Sequence, residues 1–170
     1  MNLQQLIDAD REYGVSPMQT MVSMSGMEFL QAMIDGKLPT APIMKTLKFA
    51  LTKIEPGVAV FEGIPDFDTY NPIGSVHGGY IGTLLDSALG CCVHTMMTAG
   101  QAYTTLEFKV SFIKAVTRDT GPVRAEGRVL NVGRRAATAE ARLTDAAGRL
   151  LAHGTTTCLV FDVPGAAKPA

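Results

Sequence analysis

The chain has 170 residues, 46% of them hydrophobic, with 15 Lys and Arg against 16 Asp and Glu for a formal charge of -1. That length and apolar content fit one domain with a sizeable core and exclude a disordered chain. The near balance of charge argues against nucleic acid as the main partner, because phosphate recognition needs a basic field.

The N-terminus, MNLQQLIDADREYG, lacks a basic start followed by an apolar block, so no secretory signal is expected and the expected location is cytoplasmic. Residues 1 to about 24 show little periodicity and read as a loose arm or a short helix. Ser25, Gly26, Met27 and Glu28 form a capping-box pattern. Phe29, Leu30, Met33 and Ile34 then make one apolar stripe, and Gly36 stops the helix. Pro39 and Pro42 mark a turn. Leu47 to Ile54 and Val58 to Ile64, joined by Glu55-Pro56-Gly57, read as a hairpin. A loop follows from Pro65 to Val76.

A helix is predicted from about Gly78 to Met97. Its apolar stretch is short and holds Asp86, Ser87 and His94, so a buried core helix is expected rather than a membrane span. Three alternating runs come next. Leu106, Phe108, Val110 and Phe112 should share one face; Val123, Ala125, Gly127 and Val129 a second; Ala137, Ala139, Ala141 and Leu143 a third. A last strand, Leu151 to Phe161, carries small residues on one face. These small inward faces would let a helix approach closely. The expected class is α+β, one antiparallel sheet curled around one central helix. The expected division is an arm with a short helix over 1–40, one domain over 41–163, and a disordered tail over 164–170.

Asp86 is the informative residue. A carboxylate between Leu84-Leu85 and Ala88-Leu89 on a buried helix is costly unless it is paired or used. Function is favoured over a plain structural hydrogen bond. Thr83, Asp86, Ser87, Gly90 and His94 fall on one polar or small stripe that could face a cleft or a subunit. His77, Gly78 and Gly79 stand where the helix begins. Free N–H groups and the helix dipole there suit a developing oxyanion, and glycine lets a ligand approach the backbone. Alone, His-Gly-Gly reads equally well as a tight turn. Cys91, Cys92 and Cys158 show no CxxC spacing, so neither a metal site nor a disulfide framework is expected.

The stretch from Asn71 through His77-Gly78-Gly79 to Asp86 resembles the signature of the PaaI-like hotdog thioesterases. The similarity runs on through Thr105-Leu-Glu-Phe-Lys-Val-Ser-Phe, Val132-Gly-Arg-Arg and Leu151-Ala-His-Gly-Thr-Thr-Thr, covering roughly residues 40 to 161. The resemblance implies a hotdog fold, an acyl-CoA substrate and no separate cofactor. It gives Asp86 the role of base or nucleophile, and the Gly78 N–H that of donor to the thioester carbonyl. Asn71 would hold water or the carbonyl region, His77 would position, and Thr105 would orient water, unless a one-residue slip makes that residue Thr104. Gly79, Thr83 and Ser87 would line the substrate. Arg134 and Arg135 would either grip coenzyme A phosphates or be solvated loop charges. The site would lie between subunits of a homodimer at least, with dimers usually pairing into tetramers. His94 reads as a core or interface residue, with a place in the acyl pocket as the alternative, and His153 as exposed or at an interface. Two other functions remain open: a hotdog hydratase or dehydratase on acyl thioesters, and a non-catalytic acyl-CoA sensor.

Overall fold

The central helix needs cover on nearly all sides, and six strands supply it. In the computed structural model, which describes residues 2–166, α5 spans Gly78–His94 and touches every strand of one antiparallel sheet. Before it come four short helices, α1 (Leu3–Ile7), α2 (Met18–Val22), α3 (Gly26–Ile34) and α4 (Pro42–Thr46). The strands are β1 (Phe49–Glu55), β2 (Val58–Gly63), β3 (Gln101–Phe112), β4 (Val123–Val132), β5 (Ala136–Asp145) and β6 (Leu150–Asp162). Their order across the sheet is β1-β2-β4-β5-β6-β3, so β1 and β3 are the edges. This curled sheet around α5 is the hotdog fold expected from the sequence.

Leu84, Leu85, Ala88, Leu89, Cys92 and Val93 of α5 are wholly buried. Each leucine so buried contributes about 1.5–3 kcal/mol. The sheet faces that meet them carry Ala125, Gly127, Ala139, Ala141, Ala152 and Gly154, as the alternation predicted. At Gly127 the approach leaves no room for a side chain, since an added Cβ would lie 2.2 Å from the Ala88 carbonyl oxygen.

Strand β3 departs from the simple alternation. Thr105 pairs with Cys158 and Glu107 with Thr157, so Leu106 is the extra residue of a β-bulge. The bulge resets the phase. Tyr103, Thr105, Phe108, Val110 and Phe112 lie on the α5 face, opposite Val160, Cys158, Thr156, Gly154 and Ala152. Leu106, expected beside Phe108, is out of that register and largely exposed.

The arm is pinned to the far end of α5. Ser25 and Glu28 form the predicted capping box. Gly36 takes φ +72°, a left-handed conformation suited to glycine. The Gly26 N–H donates to Met97 O and the Gly100 N–H to Val22 O, at 3.0 and 2.8 Å. Pro42, read as part of a turn, instead opens α4, where its fixed φ suits a first helical position. Helix α5 ends at His94 rather than Met97, with Thr95 as its cap. The Thr95 hydroxyl donates to Cys92 O at 2.6 Å.

Among the described residues, no helix is long and apolar enough to cross a membrane. Pro164 and Gly165 form a turn; residues 167–170 of the tail expected to be disordered lie outside the described residues.

Candidate active site

The loop before α5 is organised by Asn71. Its Oδ1 accepts from the N–H groups of Ile73 and Ser75 at 3.1 and 3.2 Å, and its Nδ2 donates to Ser75 Oγ at 3.0 Å. One Nδ2 hydrogen remains for another partner. His77 is the N-cap of α5, and its Nδ1 accepts from the Gly79 N–H at 2.8 Å. An accepting Nδ1 leaves the ring proton of neutral His77 on Nε2, directed away from the cap. The next donor, the Gly78 N–H, has no protein partner among the described residues. It is one of the orphan donors of a helix start, carrying the positive end of the dipole.

From there a row runs along α5 at every fourth residue: Gly78, Gly82, Asp86, Gly90, His94. Strand β3 lies along it in the opposite direction. A Cβ added at Gly78 would lie 2.9 Å from Phe112 Cζ, and one at Gly82 would lie 3.9 Å from Phe108. At Gly90 it would lie 2.9 Å from the Tyr103 hydroxyl. The His94 and Tyr103 rings stand 5.4 Å apart. The missing side chains of Gly78 and Gly90 thus admit Phe112 and Tyr103 of β3, while Gly82 has room to spare. Between the glycines at 82 and 90 stands Asp86, with Thr105 beside it.

The Asp86 carboxylate is half-buried, and its Oδ1 is enclosed without a hydrogen-bond partner among the described residues. Burial pushes its pKa up; interaction with the Thr105 side chain pulls part of the way back. An enclosed acceptor left unpaired costs about 1–3 kcal/mol. Such a group awaits a water, a substrate or a neighbouring chain. Thr104 is exposed and pairs with Leu159, so Thr105 rather than Thr104 faces the carboxylate.

Asp86 lies in a cleft of about 440 Å³. Its floor is Gly78, Gly79, Gly82, Thr83 and Asp86, and its walls are Phe108, Val110, Phe112 and Ile43. Thr83 is turned inward on its own helix, its hydroxyl donating to Gly79 O at 2.8 Å. Asn71 lines a second cleft of about 340 Å³, which shares Gly78 and Phe112 with the first. Gly78 and Phe112 therefore stand where the two clefts meet, with Asp86 lining one and Asn71 the other. A hollow of about 460 Å³ between α1, Lys48 and Arg118 contains none of these residues.

Several predicted residues lie elsewhere. Arg134 and Arg135 are exposed in the β4–β5 turn and line neither cleft. Ser87 is half-buried on α5 outside the cleft lining. His94 is buried between the rings of Phe29 and Tyr103, and burial depresses its pKa to about 4. It belongs to the core. His153 sits on the outer sheet face, 3.5 Å from Glu140. Cys91 is held to about 12 by burial and by the Asp86 charge, so its thiol is a poor nucleophile. Among the described residues, no three His, Cys, Asp or Glu side chains gather as metal donors. The aromatic walls were not singled out as site residues. Their alternation was legible, but not that glycines on α5 would bring them over the carboxylate.

Residues 73–152 match the model of the thioesterase superfamily. No curated protein matches the sequence. A phenylacetic acid degradation-related protein from Ralstonia eutropha is 25% identical, with TM-score 0.70 over 77% of this chain and 98% of its own. A variant of phenylacetic acid degradation protein PaaI from Thermus thermophilus is 27% identical, with TM-score 0.63 over 69% and 97%. A Streptococcus mutans protein solved with acetyl CoA is 24% identical, with TM-score 0.61 over 67% and 89%, a likeness of fold. The chain thus has the hotdog fold of these neighbours, with the thioesterase-superfamily match confined to residues 73–152.

Proposed function

We infer that this hotdog chain is a thioester hydrolase that cleaves an aryl- or medium-chain acyl-CoA to the free acid and coenzyme A. The observation that carries the reading is Asp86. Its half-buried carboxylate, with one unpartnered oxygen, shares a cleft with the free N–H of Gly78. The superfamily match over 73–152 supports the reaction class, and the two neighbours named for phenylacetic acid degradation favour an aryl acyl group.

In this reading the thioester carbonyl points its oxygen at the Gly78 N–H, where the helix start stabilises the charge that develops. Asp86 either takes a proton from the attacking water or attacks the carbonyl carbon itself. In the first route a C–O bond forms to water, the C–S bond breaks and the thiolate leaves. In the second the Asp86 carboxylate bonds to the carbonyl carbon, the C–S bond breaks and the thiolate leaves, and water then cleaves the mixed anhydride to the free acid and the Asp86 carboxylate. Thr105 orients the carboxylate or its water, and no cofactor is required. The Asn71 amide and His77 Nε2 would reach the site from a second chain. Edge strand β3 is the surface for that pairing: Phe108 and Phe112 are 43% and 58% exposed, and an edge carries unpaired backbone groups.

A thiol-release assay across acetyl-, hexanoyl-, decanoyl-, benzoyl- and phenylacetyl-CoA tests the reading. Release of coenzyme A that depends on Asp86 supports it. Hydration of an enoyl-CoA without thiol release would favour the hydratase instead, and binding without turnover would favour the sensor.

A further inference from the structure

We propose that α4, the short helix between the N-terminal arm and β1, is part of the substrate site, and that its Ile43 determines which acyl groups the cleft accepts. The proposal rests on the thioesterase reading and adds a specificity residue to it. Residues 73–152 match the superfamily model, so Ile43 lies outside the matched segment. Yet it lines the Asp86 cleft together with Gly78, Gly79 and Thr83.

The arm holds Ile43 in place. Met44, the next residue, is buried at 6% exposure, whereas Ile43 is 47% exposed. One side chain therefore anchors α4 and its neighbour faces the cleft. Just before α4, Thr40 is bonded on both sides: its N–H donates to Glu12 O at 2.8 Å, and its carbonyl accepts from Gly14 N at 3.0 Å. Further back, α3 is tied to the end of α5 through Gly26 and Met97. A wall fixed in this way, ending in a β-branched side chain with restricted rotamers, can discriminate by shape. Its exposed apolar surface gains by contact with an apolar acyl group, and Phe108 and Phe112 complete the surround.

The test is a pair of opposite substitutions read as a ratio. Ile43→Trp should lower kcat/KM for decanoyl- and phenylacetyl-CoA relative to acetyl-CoA by about tenfold or more, and Ile43→Ala should shift that ratio the other way. One or two methylenes in an apolar pocket discriminate by roughly 10–200-fold. Val15→Trp, an exposed site on the N-terminal arm outside the cleft, should leave the ratio unchanged. Ratios unchanged in both Ile43 variants would overturn the proposal. So would an equal loss for every substrate with a change in sedimentation mass, which would make Ile43 an interface residue. Dissociation constants for a non-hydrolysable decanoyl-CoA thioether separate this idea from the catalytic one. Dependence on Ile43 without any hydrolysis would refute the thioesterase and keep the specificity wall. Hydrolysis without that dependence would do the reverse.

Discussion

The Phe112 ring lies over Gly78: a Cβ added to the glycine would sit 2.9 Å from its Cζ atom. Gly78→Ala therefore presses on two things at once, the ring and the space where a carbonyl would reach the Gly78 N–H. The ring is the far end of a flexible, 58% exposed side chain, so it can swing aside at little cost in stability. Turnover should fall, by up to the 10²–10³ or so that loss of an oxyanion donor costs, while the melting temperature moves little. Gly82→Ala is the control, since its Cβ would meet Phe108 at an ordinary 3.9 Å. Adding Phe112→Ala to Gly78→Ala asks which effect dominates. Recovery would mean the displaced ring blocks the cleft. A destabilised but fully active Gly78→Ala protein would move the oxyanion role to another donor.

The raised pKa of Asp86 fixes the sign of two pH effects. A base or nucleophile must be ionised, so kcat/KM should fall on the acid side at a midpoint above the ordinary aspartate range. Stability runs the other way. The unfolded Asp86 loses its proton before the folded one, so stability declines as pH rises from the ordinary value through the raised one, and the penalty persists above it. Asp86→Asn removes that penalty. At neutral pH the variant should melt no lower than the parent and turn over roughly two decades more slowly. Intact turnover with a lower melting temperature would make Asp86 a structural residue.

The β3 bulge makes a sharper test. Because Leu106 is the extra residue, Thr105 faces Asp86 and Thr104 faces away. Thr105→Val removes the influence that lowers the Asp86 pKa, so the acid limb of the rate profile should move further up. Thr104→Val should leave the profile in place. If Thr104→Val moved the limb and Thr105→Val did not, the register would be shifted by one residue.

That bulge also marks the limit of what the sequence discloses. Alternation from Leu106 to Phe112 is unbroken, and a period of two carries no sign of where its phase was reset. The inward faces of β4, β5 and β6 were legible because each run is regular and its small residues have one physical reason, the nearness of α5. The capping box at Ser25 was legible because both halves of it are local. Pro42 was ambiguous: the same fixed φ serves a turn and a first helical position. The geometry of Asn71 was hidden for a different reason. Its side-chain bonds within its own loop depend on the path from Ile73 to Ser75, which no periodicity encodes.

Gly127 should tolerate substitution least within the sheet. A Cβ there would lie 2.2 Å from Ala88 O and 2.5 Å from Ala88 C, both backbone atoms of a fully packed helix. Overpacking of a core costs about 1–3 kcal/mol, and backbone that cannot yield puts this case at the upper end. Gly127→Ala should lower the denaturant midpoint clearly, whereas Gly148→Ala tests strain alone, since it has φ +77° and nothing within 4 Å of an added Cβ. Equal, small effects at both would mean that α5 can slide away from the sheet.

A site shared between two chains would show itself in complementation. Asn71 and Asp86 line separate clefts of one chain, with Phe112 in both. If catalysis needs the two groups together, a second chain can supply one of them, and strand β3 offers the edge across which chains would meet. Asn71→Ala also loses the bonds to Ile73, Ser75 and its hydroxyl, so the loop before Gly78 should loosen and activity should fall. Alone, each of Asn71→Ala and Asp86→Asn should be nearly inactive. Unfolded together and refolded as a mixture, they should regain activity, because some mixed dimers join an intact Asn71 to an intact Asp86. Random pairing of equal amounts makes about half the dimers mixed, each with one sound site of two, so recovery should approach about a quarter of the parent rate. Sedimentation should show a dimer or larger in every sample. A fully active monomer, or a mixture no more active than its components, would place the whole site within one chain.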